Sequence, residues 1–259
     1  LGCLTRPWYD YTLADSLAGI AAAGFPVCGF ISSQPGKPLI SDEQPEADLA
    51  AISALVQQHR LQPQVLISNT DVNLPPEESV ARLRTIISRV QALGLTHLVL
   101  TGTHEESKYE AWYAATKQCL NFAQEQGVKV LLKAHGGMCA LAEDLRYALD
   151  RLPHPNFGIC YDPGNIYYYT GERAEEDLPK IAARVAAMCI KDEIGGKHGD
   201  VMLTPGTGLV DFPRIFSILN DHGFSGPCWV ECVGGKSLEE INAEAAKTYQ
   251  FITEVVAAI

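Results

Sequence analysis

Short, continuous runs of apolar residues alternate along the chain with longer segments that have helical periodicity. Continuous apolar runs, unlike alternating ones, are typical of parallel strands that are buried on both faces. The helical segments place apolar residues on one face, as Leu49, Ile52 and Val56 do at positions i, i+3 and i+7. Strand-and-helix units of this kind follow one another, and the pattern therefore predicts a parallel α/β fold.

The predicted elements cover the chain without a linker or a low-complexity tract between them. Strands are predicted at residues 1–5, 26–31, 64–68, 97–100, 128–132, 157–161, 187–190 and 227–230. The helices that follow them are predicted at residues 13–23, 46–59, 77–93, 107–126, 140–152, 175–185, 213–221 and 238–256.

These eight units are the number that closes a (β/α)8 TIM barrel, and 259 residues is a typical length for that fold. We therefore expect a single TIM-barrel domain over residues 1–259. A doubly wound open sheet is the alternative, but the first strand-to-helix turn lacks the GxGxxG pattern of the dinucleotide-binding folds.

The net charge and the cysteines limit the kinds of binding partner and the cellular compartment that we expect for this chain. The formal net charge of −11 argues against binding to a nucleic-acid backbone. No apolar stretch approaches the roughly 18 residues of a membrane-spanning helix. The eight cysteines form no CxxC pair, which favours buried free thiols in a reducing compartment. With no recognisable signal peptide we expect a cytoplasmic protein, although a leader removed ahead of Leu1 stays open.

Polar and charged residues follow the ends of the predicted strands. In a parallel barrel the carboxyl ends of all strands meet at one rim, where the active site lies. The strand ends carry Thr5, Arg6, Trp8, Ser32, Asn69, Thr101, His104, Lys133, His135, Asp162, Asn165, Lys191, Asp192 and Glu231. We therefore expect one pocket for a polyhydroxylated ligand, with a sugar ring against Trp8 or Tyr167.

Five motifs in the second half of the chain occur together in a characteristic order. They are L-K-A-H-G-G at 132–137, Y-D-P-G-N at 161–165, I-K-D at 190–192, P-G-T-G-L-V-D-F at 205–212 and W-V-E at 229–231. Together they resemble the xylose-isomerase-like TIM barrels, the superfamily of sugar phosphate isomerases and epimerases that is related to endonuclease IV. The resemblance implies a (β/α)8 barrel and an isomerase, an epimerase or a lyase that acts on a sugar.

The resemblance also implies a divalent metal, which that family holds with Glu, Asp, His and Glu on its late strands. The corresponding residues here are Lys133, Asp162, Cys189 and Glu231, and a further family histidine corresponds to Asn165. Because an ammonium group repels a divalent ion in a poorly screened pocket, we expect no metal cofactor. Weak binding of Mg²⁺ or Mn²⁺ by Asp162 and Glu231, together with waters, is the alternative.

The residues found at the family's metal-ligand positions predict a catalytic group in which Lys133 takes the place of the metal. Its ammonium group would polarise a substrate carbonyl or stabilise an enolate oxygen. Asp162 or Glu231 would remove the proton next to that carbonyl, and His135 or Lys191 would return it. A Schiff base on Lys133 is less favoured, because two neighbouring carboxylates keep the amine protonated.

Two classes of function fit these expectations. The first is a sugar isomerase or epimerase, or a related lyase, that works through an enolate-type intermediate without a metal. The second is a carbohydrate-binding barrel that has lost catalysis. The residues expected to contact the sugar are Arg6, Trp8, Asn69, His104, Asn165, Tyr167 and Asp192. The tyrosines at 167–169 would form either a pocket wall or a subunit surface, which leaves a homo-oligomer open.

Overall fold

The computed structural model describes residues 1–34, 37–38, 40–42 and 45–259. Within these residues, eight parallel strands close into a barrel, so the predicted (β/α)8 fold is confirmed. The strands are β1 (Gly2–Leu4), β2 (Val27–Ile31), β3 (Gln62–Ser68), β4 (His97–Leu100), β5 (Lys129–Lys133), β6 (Phe157–Tyr161), β7 (Val185–Ile190) and β8 (Cys228–Val230). They pair in chain order, and β8 pairs with β1 to complete the ring. The assignment of the whole chain to one domain stays a prediction.

Helices flank the barrel. They are α1 (Leu13–Ala22), α2 (Glu46–Gln58), α3 (Pro76–Ala92), α4 (Tyr109–Glu125), α5 (Ala142–Arg151), α6 (Pro163–Thr170), α7 (Ala174–Asp177), α8 (Phe212–Asp221) and α9 (Leu238–Ala257). Four of those described begin at a residue whose side chain caps them, namely α1, α6, α8 and α9. Thr12 and Asp15 form a capping box at the start of α1, and Ser237 and Glu240 form one at the start of α9. Among the described residues, no helix has the length and apolar character needed to cross a bilayer.

The sixth unit differs from the sequence prediction of one helix at 175–185, which is wrong. Helix α6 begins directly after β6, because Asp162 accepts a hydrogen bond from the Asn165 N–H and Pro163 occupies the first turn. The later segment forms only the short α7 and two 3-10 turns, Leu178–Lys180 and Ala182–Arg184. Pro179 lacks the backbone N–H that would continue the hydrogen-bond ladder of α7.

Side chains along the barrel strands alternate between the barrel interior and the layer of helices. In β5, Leu131 belongs to the inner cluster of buried residues, whereas Val130 and Leu132 belong to the outer one. The inner cluster consists of Leu4, Ile31, Val65, Ile67, Val99, Leu131, Cys160, Ala187, Cys189 and Trp229. A residue two positions further along an extended strand keeps the same facing. The inner cluster therefore determines which strand-end residues point into the barrel mouth.

Candidate active site

Five charged residues lie two positions beyond members of the inner cluster, on the side of the carboxyl rim. The pairs are Leu4 and Arg6, Leu131 and Lys133, Cys160 and Asp162, Cys189 and Lys191, and Trp229 and Glu231. Extended backbone at the ends of β5 to β8 gives Lys133, Asp162, Lys191 and Glu231 the inward facing of their partners. Arg6 instead begins a 3-10 turn and lines the cavity from there. The fold thus brings together side chains that are separated by more than 200 residues, Arg6 and Glu231.

A cavity of about 350 Å³ opens at this rim. It is lined by Arg6, Tyr9, Ile31, Ser32, Ile67, Ser68, Asn69, Thr101, Lys133, His135, Asn165, Tyr168, Tyr169, Lys191, Val201 and Glu231. Most of these side chains carry hydroxyl, amide or charged groups. The site is therefore suited to a small polar ligand with several hydrogen-bonding groups.

Lys133 lies between the two carboxylates. Its Nζ is 2.9 Å from Asp162 Oδ2 and donates a hydrogen bond to Glu231 Oε2. Lys133 and Asp162 are almost completely buried, with exposed fractions of 1% and 0%. The sequence predicted that these three groups would be near one another, and the structure places them in contact.

A second ammonium group completes the cluster. Lys191 Nζ donates to Glu231 Oε1 at 2.9 Å and to Asn165 Oδ1 at 3.1 Å, and it is 3.5 Å from Asp162 Oδ2. Asn165 is held in turn by its side-chain amide, which donates to the Ala134 carbonyl at 2.8 Å. Two lysines thus face two carboxylates, and a neutral amide fixes the position of one lysine.

The mutual attraction of these groups outweighs the effect of their burial. Burial opposes the charged form of Lys133, but Glu231 and Asp162 raise its pKa well above the usual value. Burial likewise opposes the charge of Lys191, and the same two carboxylates raise its pKa. Burial would raise the pKa of Glu231, but Lys133 and Lys191 lower it well below the usual 4.5. Both lysines and Glu231 are therefore ionised at neutral pH.

His135 lies beside this cluster in an aromatic wall. The Tyr169 hydroxyl is 3.3 Å from the His135 ring nitrogens, and the ring of His104 is 5.8 Å from that of His135 between centroids. Burial, together with the charges of Lys133 and Lys191, lowers the pKa of His135 to about 3. The imidazole is consequently neutral at physiological pH and available for hydrogen bonding.

The substrate contacts predicted from the sequence divide into two groups. Those that line the cavity are Arg6, Asn69 and Asn165, and His104 is exposed beside its wall. Trp8 lies outside the cavity lining, because its buried indole packs at Gly19 and donates to Asn242 Oδ1 at 2.8 Å.

Tyr167 and Asp192 also lie outside the cavity lining. The hydroxyl of Tyr167 points away, towards Glu175 Oε2 at 2.8 Å. Asp192 is fully buried, and its carboxylate accepts hydrogen bonds from four backbone N–H groups, which belong to Glu193, Gly206, Gly208 and Val210. The geometry gives Asp192 a role in shaping the loop between β7 and α8.

The sequence analysis left the tyrosines at 167–169 open between a pocket wall and a subunit surface, and the structure places Tyr168 and Tyr169 in the cavity wall. Both are on α6, where residues three and four positions after Asn165 share its face, whereas Tyr167 does not. The signals for this helix were in the sequence, namely Asp162 followed by Pro163 at its start and Gly171 at its end, where φ is +79°.

The arrangement does not fit the divalent metal that the family resemblance implies. Asp162, Cys189 and Glu231 offer ligand atoms that lie within 4.8 Å of one another. However, Lys133 Nζ contacts both carboxylates and therefore holds a positive charge where the metal would bind. The hydrogen bond between the Cys160 and Cys189 thiols, together with burial, raises the pKa of Cys189 well above its usual value, whereas metal binding requires the thiolate.

The chain resembles several known proteins. It is 26% identical over 148 residues to inosose dehydratase from Clostridium perfringens (strain 13), an alignment covering 51% of this chain and 50% of that protein. The chain thus spans about half the length of the curated inosose dehydratases that it matches. It is also 24% identical over 222 residues to L-ribulose-5-phosphate 3-epimerase UlaE from Escherichia coli (strain K12), which covers 80% of this chain and 76% of that protein.

Solved structures of low sequence identity share the fold. D-psicose 3-epimerase from Clostridium cellulolyticum H10 superposes with a TM-score of 0.77 at 12% identity and covers 98% of both chains. A xylose isomerase domain protein from Alicyclobacillus acidocaldarius superposes with a TM-score of 0.76 at 18% identity, covering 99% of this chain and 98% of the other. The sequence profile described as xylose isomerase-like TIM barrel matches residues 17–254. The chain belongs to the xylose isomerase-like TIM barrel family.

Proposed function

We propose that this protein is an enzyme that moves a proton next to the carbonyl group of a sugar or keto-sugar. The relatives support this class of reaction, because they include a sugar-phosphate epimerase and dehydratases. The observation that carries the proposal is the ammonium group of Lys133, which contacts Asp162 and Glu231 at a cavity rich in hydrogen-bonding groups.

Lys133 and Lys191 provide the electrophilic part of the site. In the proposed reaction, the substrate carbonyl oxygen approaches the two ammonium groups. Loss of the neighbouring proton breaks a C–H bond, and its electron pair forms an enolate with negative charge on that oxygen. Fixed positive charges beside this oxygen stabilise the transition state more than the substrate, which lowers the barrier.

Glu231 is the proposed base, since it is ionised and is the carboxylate that lines the cavity among the described residues. In the free protein its low pKa makes it a weak base. As the enolate develops, the new negative charge compensates Lys133 and Lys191, and the proton affinity of Glu231 rises. Asp162 supports both lysines from its buried position and does not line the cavity.

The same enolate leads to either of two products. Return of a proton, from the Lys191 ammonium or through His135, gives an isomer or an epimer of the substrate. Departure of the hydroxyl group from the next carbon as water, with the proton that Glu231 has taken up, gives a dehydrated product instead. Both reactions occur among the named relatives, so we state the proposal at the level of the shared proton transfer.

The proposal includes catalysis without a divalent metal, since Lys133 holds the positive charge. Elemental analysis of the purified protein tests this part, and we expect no stoichiometric Mg²⁺, Mn²⁺ or Zn²⁺. The variant Lys133→Glu is the informative comparison. It would place the family's glutamate beside Asp162 and Glu231, and it should therefore gain metal binding. Tight metal binding by the natural protein, with activity lost on chelation and restored by added metal, would contradict the proposal.

Exchange of substrate hydrogen with solvent tests the reaction itself. The protein is incubated in D₂O with a panel of keto-sugars and keto-sugar acids, and deuterium next to the carbonyl is measured by mass spectrometry and NMR. We expect incorporation with the natural protein and its loss in Lys133→Met. Sugars that bind but incorporate no deuterium would count against an enolate mechanism.

A catalytically inactive carbohydrate-binding barrel is the second candidate. It is favoured by the fact that both oxygens of Glu231 already accept hydrogen bonds from lysines, which lowers the basicity of that carboxylate. This candidate predicts ligand binding without deuterium incorporation for every sugar of the panel. The exchange experiment therefore separates the two functions directly.

A further inference from the structure

The charges at the cavity differ from those of the molecule as a whole, which has a formal net charge of −11. Among the described residues, the cationic side chains that line the cavity are Arg6, Lys133 and Lys191. They face two carboxylates, Glu231 in the lining and Asp162 behind the lysines. Three positive groups against two negative ones leave this group of side chains with an excess of one positive charge.

Arg6 is the cation whose charge the carboxylates compensate least, because its ion pair with Glu231 is the longest in the cluster. Glu231 Oε1 is 2.9 Å from Lys191 Nζ but 4.0 Å from Arg6 Nε, and Glu231 Oε2 accepts from Lys133. Within the described part of the chain, Arg6 Nε is buried without a hydrogen-bond partner, while the side chain as a whole is 37% exposed. Its other neighbours are Tyr9 and the Cys232 thiol, and burial raises the pKa of that thiol and so keeps it neutral.

The position of Arg6 is fixed by the backbone before any ligand arrives. The Thr5 N–H donates to the Gly29 carbonyl of β2 at 3.0 Å, and the Trp8 N–H donates to the Thr5 carbonyl at 3.1 Å. The buried indole of Trp8 then ties this turn to Asn242 on α9. The backbone of Arg6 is thus in place beforehand, and only its side chain has to be ordered when a ligand binds.

The remainder of the cavity wall is neutral and rich in hydrogen-bonding groups. These groups belong to Ser32, Ser68, Asn69, Thr101, Tyr168 and Tyr169. His135 adds no charge to the wall, since burial and the two lysines lower its pKa to about 3. The cavity thus combines an excess of one positive charge with a surface that suits hydroxyl groups.

We propose that the substrate is a monoanionic sugar acid, with its carboxylate on Arg6 and its hydroxyl groups on the neutral wall. This assignment rests on the proposed function, because it names the substrate class of the same site. A planar guanidinium group can donate two parallel hydrogen bonds to a carboxylate. An excess of one positive charge also matches a carboxylate better than a phosphate ester, which carries a charge of about −1.5 to −2 at pH 7.

Binding of three polyol compounds that lack an aldehyde or ketone group tests this assignment separately from the proposed reaction. D-sorbitol, D-gluconate and D-sorbitol 6-phosphate share a six-carbon hydroxylated chain and differ in their anionic group. We expect a Kd for gluconate that is at least about tenfold lower than that for sorbitol, the usual effect of a hydrogen bond to a charged group. Arg6→Gln should remove this difference. Arg184→Gln should retain it, since Arg184 is exposed at the amino end of β7.

Calorimetric titration at low salt gives the Kd values, and thermal unfolding of each variant shows that it is folded. The absence of gluconate binding, equal Kd values for gluconate and sorbitol, or an unchanged gluconate Kd in Arg6→Gln would each overturn the assignment. Tighter binding of the phosphate ester than of gluconate would overturn the choice of a carboxylate. None of these ligands has the aldehyde or ketone group on which the proposed reaction depends, so a failure of that reaction would leave this result unchanged.

Discussion

The two sides of the barrel mouth differ in how their polar groups are held. Strands β5 to β8 are followed or ended by charged residues that are at most 5% exposed and contact one another, namely Lys133, Asp162, Lys191 and Glu231. Strands β2 to β4 end at neutral residues of the cavity wall, namely Ser32, Ser68, Asn69 and Thr101. The charged side works as one unit, because each ionised group depends on its partners, whereas each neutral group can be changed separately.

Replacing Lys133 should give the largest effect on the charged side. In Lys133→Met, two buried carboxylates share one remaining lysine, and we expect the free energy of unfolding to fall by about 3–5 kcal/mol. Turnover should fall by about 10²–10³-fold, as it does when an electrostatic donor is lost. Urea unfolding and the deuterium exchange assay measure the two effects.

Lys247→Met is a matched control for the loss of a lysine. Lys247 is 68% exposed and pairs with Glu244 on the surface of α9. Exposed pairs of this kind contribute about 0–1 kcal/mol. If Lys133→Met were as stable and as active as this control, the charged cluster would not be the centre of the site.

Removing the charge of Glu231 should give the next largest effect, and this effect depends on pH. The Glu231 pKa lies well below 4.5 in the folded protein, so the carboxylate stabilises the fold fully above about pH 4.5 and loses this contribution as the pH falls further. We expect Glu231→Gln to lower the free energy of unfolding by about 1.5–3 kcal/mol at pH 7, the range for hydrogen bonds to charged groups. Urea unfolding at pH 7 and at decreasing pH below 4.5 should show the difference shrinking. A difference independent of pH would contradict the ion-pair interpretation.

At pH 7 His135 should affect stability less than Glu231 does, because its contribution appears only in acid. Its pKa is about 3 in the folded protein, whereas an unfolded histidine takes up a proton near pH 6.5. Below that pH the unfolded state binds more protons, and stability falls by up to about 1.4 kcal/mol per pH unit until the pKa of about 3 is reached. His135→Gln should remove this slope between pH 6 and pH 4, while the exposed His222→Gln should retain it. Parallel stability curves for the two variants would show that His135 is not held neutral.

The neutral side should give the smallest effect. Thr101→Val removes one hydroxyl group from the cavity wall while the shape of the side chain is kept. We expect sugar affinity to fall by no more than about fivefold, or about 1 kcal/mol, the usual contribution of one neutral hydrogen bond. Turnover of bound substrate should be unchanged. A loss as large as that of Lys133→Met would show that the two sides are not independent.

The sequence was sufficient to predict the barrel and the charged rim, because both follow from periodicity. Apolar runs marked the strands, and residues at strand ends had to converge once the barrel closed. Lys133, Asp162 and Glu231 were predicted from this rule, and the structure places them in contact.

Side-chain direction beyond the strand ends could not be predicted in the same way. Trp8 and Asp192 follow strands closely in sequence, yet the structure turns both side chains away from the cavity. Asp192 is adjacent to Lys191, and neighbouring residues of extended backbone face opposite sides. The direction of Trp8 depends on its hydrogen bond to Asn242, and that of Asp192 depends on its hydrogen bonds to the loop at 204–210. Both are contacts between segments that are distant in sequence.

The carboxylate of Asp192 acts as an internal anion that the loop between β7 and α8 binds through its backbone N–H groups. Backbone N–H groups of Gly206, Gly208 and Val210 converge on it much as such groups converge on a bound phosphate in an anion-binding nest. The loop therefore takes its shape during folding, and an arriving substrate meets a wall that is already in place. Lys191 is the residue directly before Asp192 in the chain. The anion that shapes this loop therefore also helps to position the backbone of a lysine in the charged cluster.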